Sequence, residues 1–301
     1  MKTLRFLRFG ILLLALSVAT AGAKDATNAT SVAGAKHCAW KVQGEKCSVY
    51  LLGSIHVLKE ENYPLPAVFE SAFSNASVVV FETDIGAMMQ ADTQMGLITK
   101  AQLPEGQTLK DVLTEKTYAD LQKHLKENGI PEMMVSGVRP GFAVMMLTML
   151  ETQKQGFNPE SGMDLYFYKR TKKEGKSVRG LETLDFQMGL VCNQTKEEGE
   201  AMMKSTLVDL KDAKGKFGEL VTAWQTGDAA GVEKLMNQAQ KEDPAIMKKF
   251  LTDRNLAWVP EIAELAHGTN NAVVIVGAGH LVGKDGVAEL LKAKGFKVTQ
   301  E

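Results

Sequence analysis

The chain has 301 residues, of which 45% are hydrophobic and 24% are charged. These are ordinary proportions for a globular protein, and they exclude collagen-like, coiled-coil and disordered classes. Lys and Arg number 35 against 36 Asp and Glu, which gives a formal net charge of −1. Because no basic cluster interrupts the globular part, the sequence lacks the positive surface that binds phosphate backbones, and we do not expect nucleic acid as a partner.

The first 23 residues have the pattern of a secretory signal peptide. Lys2, Arg5 and Arg8 precede an apolar run at 9–19, and the small residues Ala-Gly-Ala follow at 21–23. This is the order of a basic region, an apolar core and a cleavage site. The apolar run is shorter than the roughly 20 residues that cross a bilayer, so a cleaved leader is favoured over a membrane anchor. We therefore expect an exported protein, periplasmic or secreted, with no stable membrane span.

The remaining chain is predicted to contain a leader at 24–37 and one folded domain at 38–301. Short β-rich runs alternate with segments of helical spacing along the domain, which is typical of an α/β protein with parallel strands. Stretches at about 86–160 and 190–250 show no strand pattern and are predicted to be helical insertions. The predicted fold class is α/β, with a mixed, partly parallel central sheet, flanking helices and large helical insertions. The predicted strands are 38–42, 48–52, 78–81, 177–181, 272–276 and 297–299, and the predicted helices outside the insertions are 65–74, 164–173, 253–266 and 287–294.

Two cysteines lie in the first predicted hairpin. Cys38 and Cys47 are nine positions apart, and an exported protein keeps its disulfides because its surroundings are oxidising. The sequence therefore predicts a Cys38–Cys47 bridge. Cys192 lies in an apolar segment and is predicted to be a buried, inert thiol.

Four polar residues follow predicted strands: His56, Glu82, Glu182 and His280. Because the carboxyl ends of parallel strands meet at one edge of a sheet, we expect these side chains to share a crevice. Each histidine ends a Gly-x-x-His sequence, in which the glycine allows a sharp turn or a close backbone approach. Taken singly, each residue also suits a structural role, such as a hydrogen-bonded core histidine or a helix N-terminal carboxylate. Their repeated placement favours a functional site.

Two imidazoles and two carboxylates suit either a divalent metal ion with an open coordination position or an acid and base acting on water. Arg254 and Asn255 lie on a predicted helix, where Arg254 could stabilise an oxyanion, but the residues alone slightly favour a solvated helix face for both. Ser54 lies near His56 without an evident aspartate to orient that histidine, so a serine nucleophile is not favoured. The sequence has no P-loop, H-E-x-x-H or G-x-S-x-G motif.

The chain contains an ordered set of short motifs: Leu52-Gly-Ser-Ile-His-Val57, Tyr63-Pro-Leu-Pro66, Val79-Val-Phe-Glu-Thr-Asp84, Ser161-Gly-Met-Asp164, Gly180-Leu-Glu-Thr183 with Gln187, Asp253-Arg-Asn255 and Val276-Gly-Ala-Gly-His-Leu-Val-Gly283. Together these motifs resemble the TraB/GumN family, over about residues 38–300. That family is related to the Tiki proteases and, more remotely, to the erythromycin esterases and the haem-binding ChaN proteins.

The resemblance implies one cleft lined by His56, Glu82, Arg254 and His280, with support from Asp164, Glu182 and Asn255. Because Tiki proteins are metal-dependent proteases, it also implies a metal-dependent hydrolase, above all a peptidase acting on a peptide or protein; the signal-peptide pattern makes this hydrolase an exported one. The predicted cofactor is a divalent ion (Mn, Co, Zn or Fe), and its ligands are predicted to come from His56, His280 and Glu82. Glu182, or whichever carboxylate is not a ligand, is the predicted general base, and Arg254 the predicted oxyanion donor.

Three alternatives remain open at this point. In the first, histidine and glutamate activate water directly, without a metal, and the same residues carry the reaction. In the second, the protein is a non-enzymatic binding protein that uses the same cleft for a metal, haem or a peptide. In the third, the protein is a scaffold whose helical insertions dock a partner, and His56 and His280 have no functional role.

Overall fold

The computed structural model describes residues 36–211 and 216–301. The predicted signal peptide at 1–23 and most of the predicted leader at 24–37 lie outside the described residues. The division of the chain into signal peptide, leader and folded domain therefore stays a prediction.

One mixed β-sheet carries the fold of the described residues. Its strands are β1 (Ala39–Gln43), β2 (Ser48–Ser54), β3 (Val78–Phe81), β4 (Ser177–Gly180), β5 (Ala272–Gly277) and β6 (Lys297–Gln300). They lie in the order β4-β3-β5-β2-β1-β6. The four strands β4, β3, β5 and β2 are parallel, whereas β1 is antiparallel to both β2 and β6. The predicted mixed, partly parallel sheet is confirmed.

The central strand β5 shows why these sequences form strands. It pairs with β2 on one side and β3 on the other, and its residues Ala272 to Val276 are all buried. A parallel strand covered on both faces reads as an unbroken apolar run, which is what this segment contains. The outer strand β4 instead alternates between exposed and half-buried residues.

Helices make up most of the remaining described chain. The α-helices are α1 (Ala67–Asn75), α2 (Ile85–Met88), α3 (Ala91–Ala101), α4 (Leu109–Val112), α5 (Glu115–Glu127), α6 (Pro140–Lys154), α7 (Met163–Glu174), α8 (Leu184–Cys192), α9 (Lys196–Lys211), α10 (Lys216–Thr226), α11 (Ala229–Glu242), α12 (Pro244–Met247), α13 (Asp253–His267) and α14 (Val287–Ala293). A π-helical turn at Lys248–Thr252 leads into α13. Among the described helices, none combines the length and the hydropathy that crossing a bilayer requires.

The described residues divide into two compact units. One comprises 86–156 and 184–217 and is helical, with α6 packed against α9. The other comprises 36–85, 157–183 and 218–301 and contains the whole sheet. All the residues predicted for the functional site belong to the sheet unit.

The predicted Cys38–Cys47 disulfide is wrong, because both cysteines are buried free thiols. Cys47 directly precedes Ser48 at the start of β2, and its Sγ donates to the Leu265 carbonyl at 3.4 Å. Cys38 lies beside Gly53 near the other end of β2, where its carbonyl accepts the Gly53 N–H at 2.7 Å. The strand between these points covers about 16 Å, far beyond the roughly 7 Å between Cα atoms that a disulfide spans.

Candidate active site

The carboxyl ends of the four parallel strands meet at one edge of the sheet. His56 follows β2, Glu82 follows β3, Glu182 follows β4 and His280 follows β5. Glu82 Oε1 lies 3.9 Å from His56 Nε2 and 3.8 Å from His280 Nε2. Glu82 and Glu182 both accept hydrogen bonds from Arg254. The fold therefore brings together the residues that the sequence placed in one crevice.

Arg254, in the first turn of α13, is the buried centre of this cluster. Its side chain is 2% exposed, and each of its five N–H groups has an acceptor. Nε donates to both oxygens of Glu182 at 3.1 Å, and Nη2 donates to Glu82 and Glu182. Nη1 donates to the Phe250 carbonyl and to His280 Nε2, each at 3.0 Å. One cation thus binds two carboxylates and one imidazole.

His280 is held in one neutral form. Asn255 Nδ2 donates to the Asp285 carbonyl at 2.9 Å, which turns Asn255 Oδ1 toward His280 Nδ1 at 2.6 Å. Because an amide oxygen only accepts, Nδ1 carries the proton and Nε2 offers its lone pair to Arg254. Burial and the charge of Arg254 lower the pKa of His280 to about 3. His280 is therefore an acceptor at neutral pH rather than a group that exchanges protons.

The two buried carboxyls that share Arg254 have pKa values that move in opposite directions. Burial raises the pKa of Glu82, but the charges of Arg254 and of protonated His56, together with the Gly277 N–H at 2.8 Å, outweigh burial and hold the pKa well below its usual range. Burial raises the pKa of Glu182, and the negative charge of Glu82 raises it further. Arg254 lowers this pKa but offsets only part of the rise. Glu82 is therefore firmly ionised, and Glu182 is the more easily protonated carboxyl.

His56 and Asp164 form the part of the site that solvent reaches. Their side chains are 12% and 17% exposed, against 7% for Glu82. His56 Nδ1 lies 2.7 Å from Asp164 Oδ2, and Ser54 Oγ donates to Asp164 Oδ1 at 2.9 Å. Burial lowers the pKa of His56, but the charge of Asp164 and the hydrogen bond to it, with the charge of Glu82, raise it to about 9. Since Nδ1 is occupied, Nε2 is the atom that can exchange a proton.

The loop before α7 packs directly on the backbone of His56, and this contact positions Asp164, in the first turn of α7, beside the His56 ring. Met163 N donates to the Ile55 carbonyl at 3.1 Å. A Cβ atom on Gly162 would lie 2.1 Å from the His56 carbonyl oxygen. Gly162 has φ −61° and ψ 143°, which any residue adopts, so glycine is needed here for space rather than for backbone freedom.

The chain is similar to a known protein family. The sequence profile of the TraB/PrgY/gumN family matches residues 38–300. The chain belongs to the TraB/PrgY/gumN family.

Relatives of this TraB/PrgY/gumN chain come from bacteria and animals. YbaP of Escherichia coli K12 is 25% identical over 243 residues, which covers 81% of this chain and 87% of YbaP. A protein of Treponema pallidum is 19% identical over 273 residues, 85% of this chain and 80% of that protein. Human metalloprotease TIKI1 is 22% identical over 313 residues, 86% of this chain and 61% of TIKI1. No solved structure matches the chain.

Human TIKI1 is named a metalloprotease, so the site of this TraB/PrgY/gumN chain is compared with the needs of a divalent cation. The imidazoles of His56 and His280 and the carboxylate of Glu82 are donor types that bind such ions. However, His280 Nε2 accepts an N–H of Arg254, and Glu82 accepts from Arg254 and Gly277. In the part of the chain that the structure describes, no three His, Cys, Asp or Glu side chains are arranged to hold a metal. With Arg254 in this position, the three predicted ligands do not fit a bound cation.

The sequence did not predict that Trp258 supports the site. It also did not predict that Ser54 contacts Asp164. The Trp258 indole N–H donates to Glu182 Oε2 at 3.1 Å, and its ring lies 4.6 Å from Arg254 Cζ and 4.5 Å from the His280 ring. Its position one helical turn after Arg254 was the available signal. Ser54 directs its O–H at Asp164 and not at His56, so it orients the aspartate.

Proposed function

We propose that this TraB/PrgY/gumN chain is a hydrolase of peptide or protein substrates. The observation that carries the proposal is the His56–Asp164 pair, whose free ring nitrogen faces Glu82 at the part of the site that solvent reaches. A histidine held by a carboxylate through one nitrogen is suited to proton transfer through the other. The metalloprotease name of human TIKI1 supports peptide bonds as the target.

The proposed nucleophile is a water molecule between His56 and Glu82. The 3.9 Å between His56 Nε2 and Glu82 Oε1 is too long for a direct hydrogen bond, but it lets one water contact both atoms at about 2.8 Å. Neutral His56 takes a proton from this water as its oxygen attacks the substrate carbonyl carbon. The resulting imidazolium, stabilised by Asp164, gives the proton to the leaving amine as the C–N bond breaks.

We further propose that Arg254 and Glu182 are positioning residues. Because every N–H of Arg254 already has an acceptor, it keeps Glu82 ionised and His280 in place rather than serving as an oxyanion donor. Glu182 accepts from both Arg254 and Trp258, which suits a clamp on the guanidinium better than a general base. Metal-dependent hydrolysis through His280 would require Arg254 to leave that histidine.

The rate of hydrolysis is expected to rise with pH up to about 9. The pKa of His56 is raised to about 9, so about 1% of its imidazole is neutral at pH 7. If neutral His56 is the base, kcat/KM rises roughly tenfold per pH unit from neutral pH and levels off near pH 9. The measurement is mass spectrometry of a random peptide library incubated with the protein from about pH 6 to about pH 10.

The same raised pKa affects stability with the opposite sign. The stabilisation of the folded state by this pKa shift is fully present below pH 6.5, the ordinary pKa of histidine, and is lost as the pH rises through about 9. Circular dichroism must therefore show that the protein is folded at each pH of the rate measurement. A rate that is flat to pH 9 and then falls would contradict the base role of His56. Cleavage at no pH would contradict hydrolysis itself and favour the binding-protein alternative.

We also propose that the chain is exported, to the periplasm or out of the cell. The basic, apolar and small-residue order of residues 1–23 supports this. Cleavage after Ala23 is expected to leave Lys24 as the first residue of the mature protein. N-terminal sequencing of protein recovered from a secretion-competent host measures this, and recovery of chains that all begin at Met1 would contradict it.

A further inference from the structure

Gly277, the last residue of β5, lies beside the gap between His56 and Glu82. The strand β5 pairs with β2 on one side and with β3 on the other, and these are the strands that His56 and Glu82 follow. The Gly277 N–H donates to Glu82 Oε1 at 2.8 Å. One backbone position therefore adjoins the gap in which the proposed water lies.

The side-chain direction of Gly277 points into this gap. A Cβ atom there would lie 3.3 Å from Glu82 Oε1, 3.5 Å from His56 Nε2 and 3.5 Å from His280 Cδ2. The first two are the atoms that the proposed water contacts. Because a methyl carbon and a water oxygen approach to about 3.5 Å, a side chain at position 277 and a water on this side of the gap compete for the same space.

Neither backbone conformation nor packing requires glycine at position 277. Its φ of −50° and ψ of 135° are angles that residues with side chains also adopt. Its Cβ would meet only side-chain atoms of the site, close to ordinary contact distance. Gly53 begins the other Gly-x-x-His sequence and differs, because its Cβ would lie 2.9 Å from Ala278 Cα and 3.1 Å from Cys38 Cβ. Close packing explains glycine at position 53.

We propose that Gly277 is a positioning residue, whose missing side chain leaves room for the nucleophilic water between His56 and Glu82. Solvent reaches this side of the gap, because Gly277 is half-buried whereas Glu82 and His280 are buried. The imidazoles of His56 and His280 and the carboxylate of Glu82 then bound the water and fix the position from which it attacks. This inference rests on the proposed hydrolysis and adds the side of the gap on which the water lies.

The test compares Gly277→Ala with the wild type. Alanine keeps the N–H that Glu82 accepts, so the substitution changes the space alone. We expect kcat for a peptide identified in the library experiment to fall by about 10²-fold, the effect of misplacing a reacting group by about 1 Å. KM should change by less than about threefold, because the lost interaction belongs to the reaction step. The melting temperature should change by no more than about 3 °C.

Two other glycines provide matched controls. The Cβ of Gly279→Ala would lie 2.7 Å from Met236 Sδ, the end of a flexible side chain, so this variant is expected to keep the wild-type kcat. Gly53→Ala is expected to lose stability, because its Cβ meets backbone. If Gly277→Ala loses as much stability as Gly53→Ala, packing explains both glycines and the proposal is overturned. A folded Gly277→Ala with the wild-type kcat would also overturn it.

Crystal structures separate this inference from the proposed hydrolysis. The wild type is expected to show an ordered water within about 3.2 Å of both His56 Nε2 and Glu82 Oε1 on the Gly277 side, and Gly277→Ala is expected to lack it. If this water is lost in Gly277→Ala but the wild type cleaves no peptide, the result contradicts hydrolysis and supports the role of Gly277 in making room for water. A wild type that cleaves peptides with its water on the opposite side of the gap would overturn the inference and leave hydrolysis standing.

Discussion

Replacing His56 with alanine is expected to lower kcat/KM for peptide hydrolysis by about 10²- to 10⁴-fold, the usual contribution of a positioned general base. The imidazole is the partly exposed ring whose Nε2 is available, whereas His280 is buried with its Nε2 engaged by Arg254. His56→Gln should lose as much activity, because its amide can donate to Asp164 but cannot exchange a proton. The measurement is the rate of cleavage of one peptide identified in the library experiment, at pH 8.

The control for this prediction is His267→Asn, in the same unit. His267 lies at the end of α13 with its ring 5.3 Å from the Phe296 ring, and it takes no part in the cluster. It is expected to retain wild-type activity. Retention of more than about a tenth of the activity by folded His56→Ala would assign proton transfer to another group.

Gly162→Ala is expected to lower the free energy of unfolding by about 2–3 kcal/mol, at the upper end for forcing one extra carbon into a packed site. The new Cβ would lie 2.1 Å from the His56 carbonyl oxygen and 2.7 Å from its carbon. Both neighbours are backbone atoms, so the loop must move away from His56 and take Asp164 with it. Urea unfolding measures the stability loss, and the hydrolytic rate should fall together with the Asp164 contact.

Gly96→Ala is the matched control for Gly162→Ala. Gly96 lies within α3, and a Cβ there would have no neighbour within 4 Å. Alanine in a helix interior is expected to raise stability by about 0.5–1 kcal/mol, with no change in activity. Equal effects of the two substitutions on unfolding would mean that the backbones of Gly162 and His56 are not in close contact.

Much of the fold was predictable because the hydrophobic pattern of a short segment indicates whether that segment is buried. The unbroken apolar run at Ala272–Val276 predicts a strand covered on both faces, and β5 is central in the sheet. The disulfide prediction failed because the spacing of Cys38 and Cys47 says nothing of strand register. Once the hairpin pairs Ala39 with Leu52, the two cysteines lie at opposite ends of β2.

The sequence by itself determined which residues at the ends of the parallel strands reach the site. His56, Glu82, Glu182 and His280 each follow a strand, and strands that run in parallel end at the same edge whatever their separation along the chain. That rule depends only on chain direction and burial, which local composition encodes.

The tertiary structure alone decided which hydrogen bonds and charge interactions these residues make with one another. His280 is fully buried and its Nε2 accepts an N–H of Arg254, whereas the Nδ1–H of His56 donates to the Asp164 carboxylate, so two histidines with the same motif have pKa values of about 3 and about 9. Hydrogen bonding and charge at 3 Å depend on atoms brought together from distant parts of the chain, and short-range sequence patterns do not record those distances.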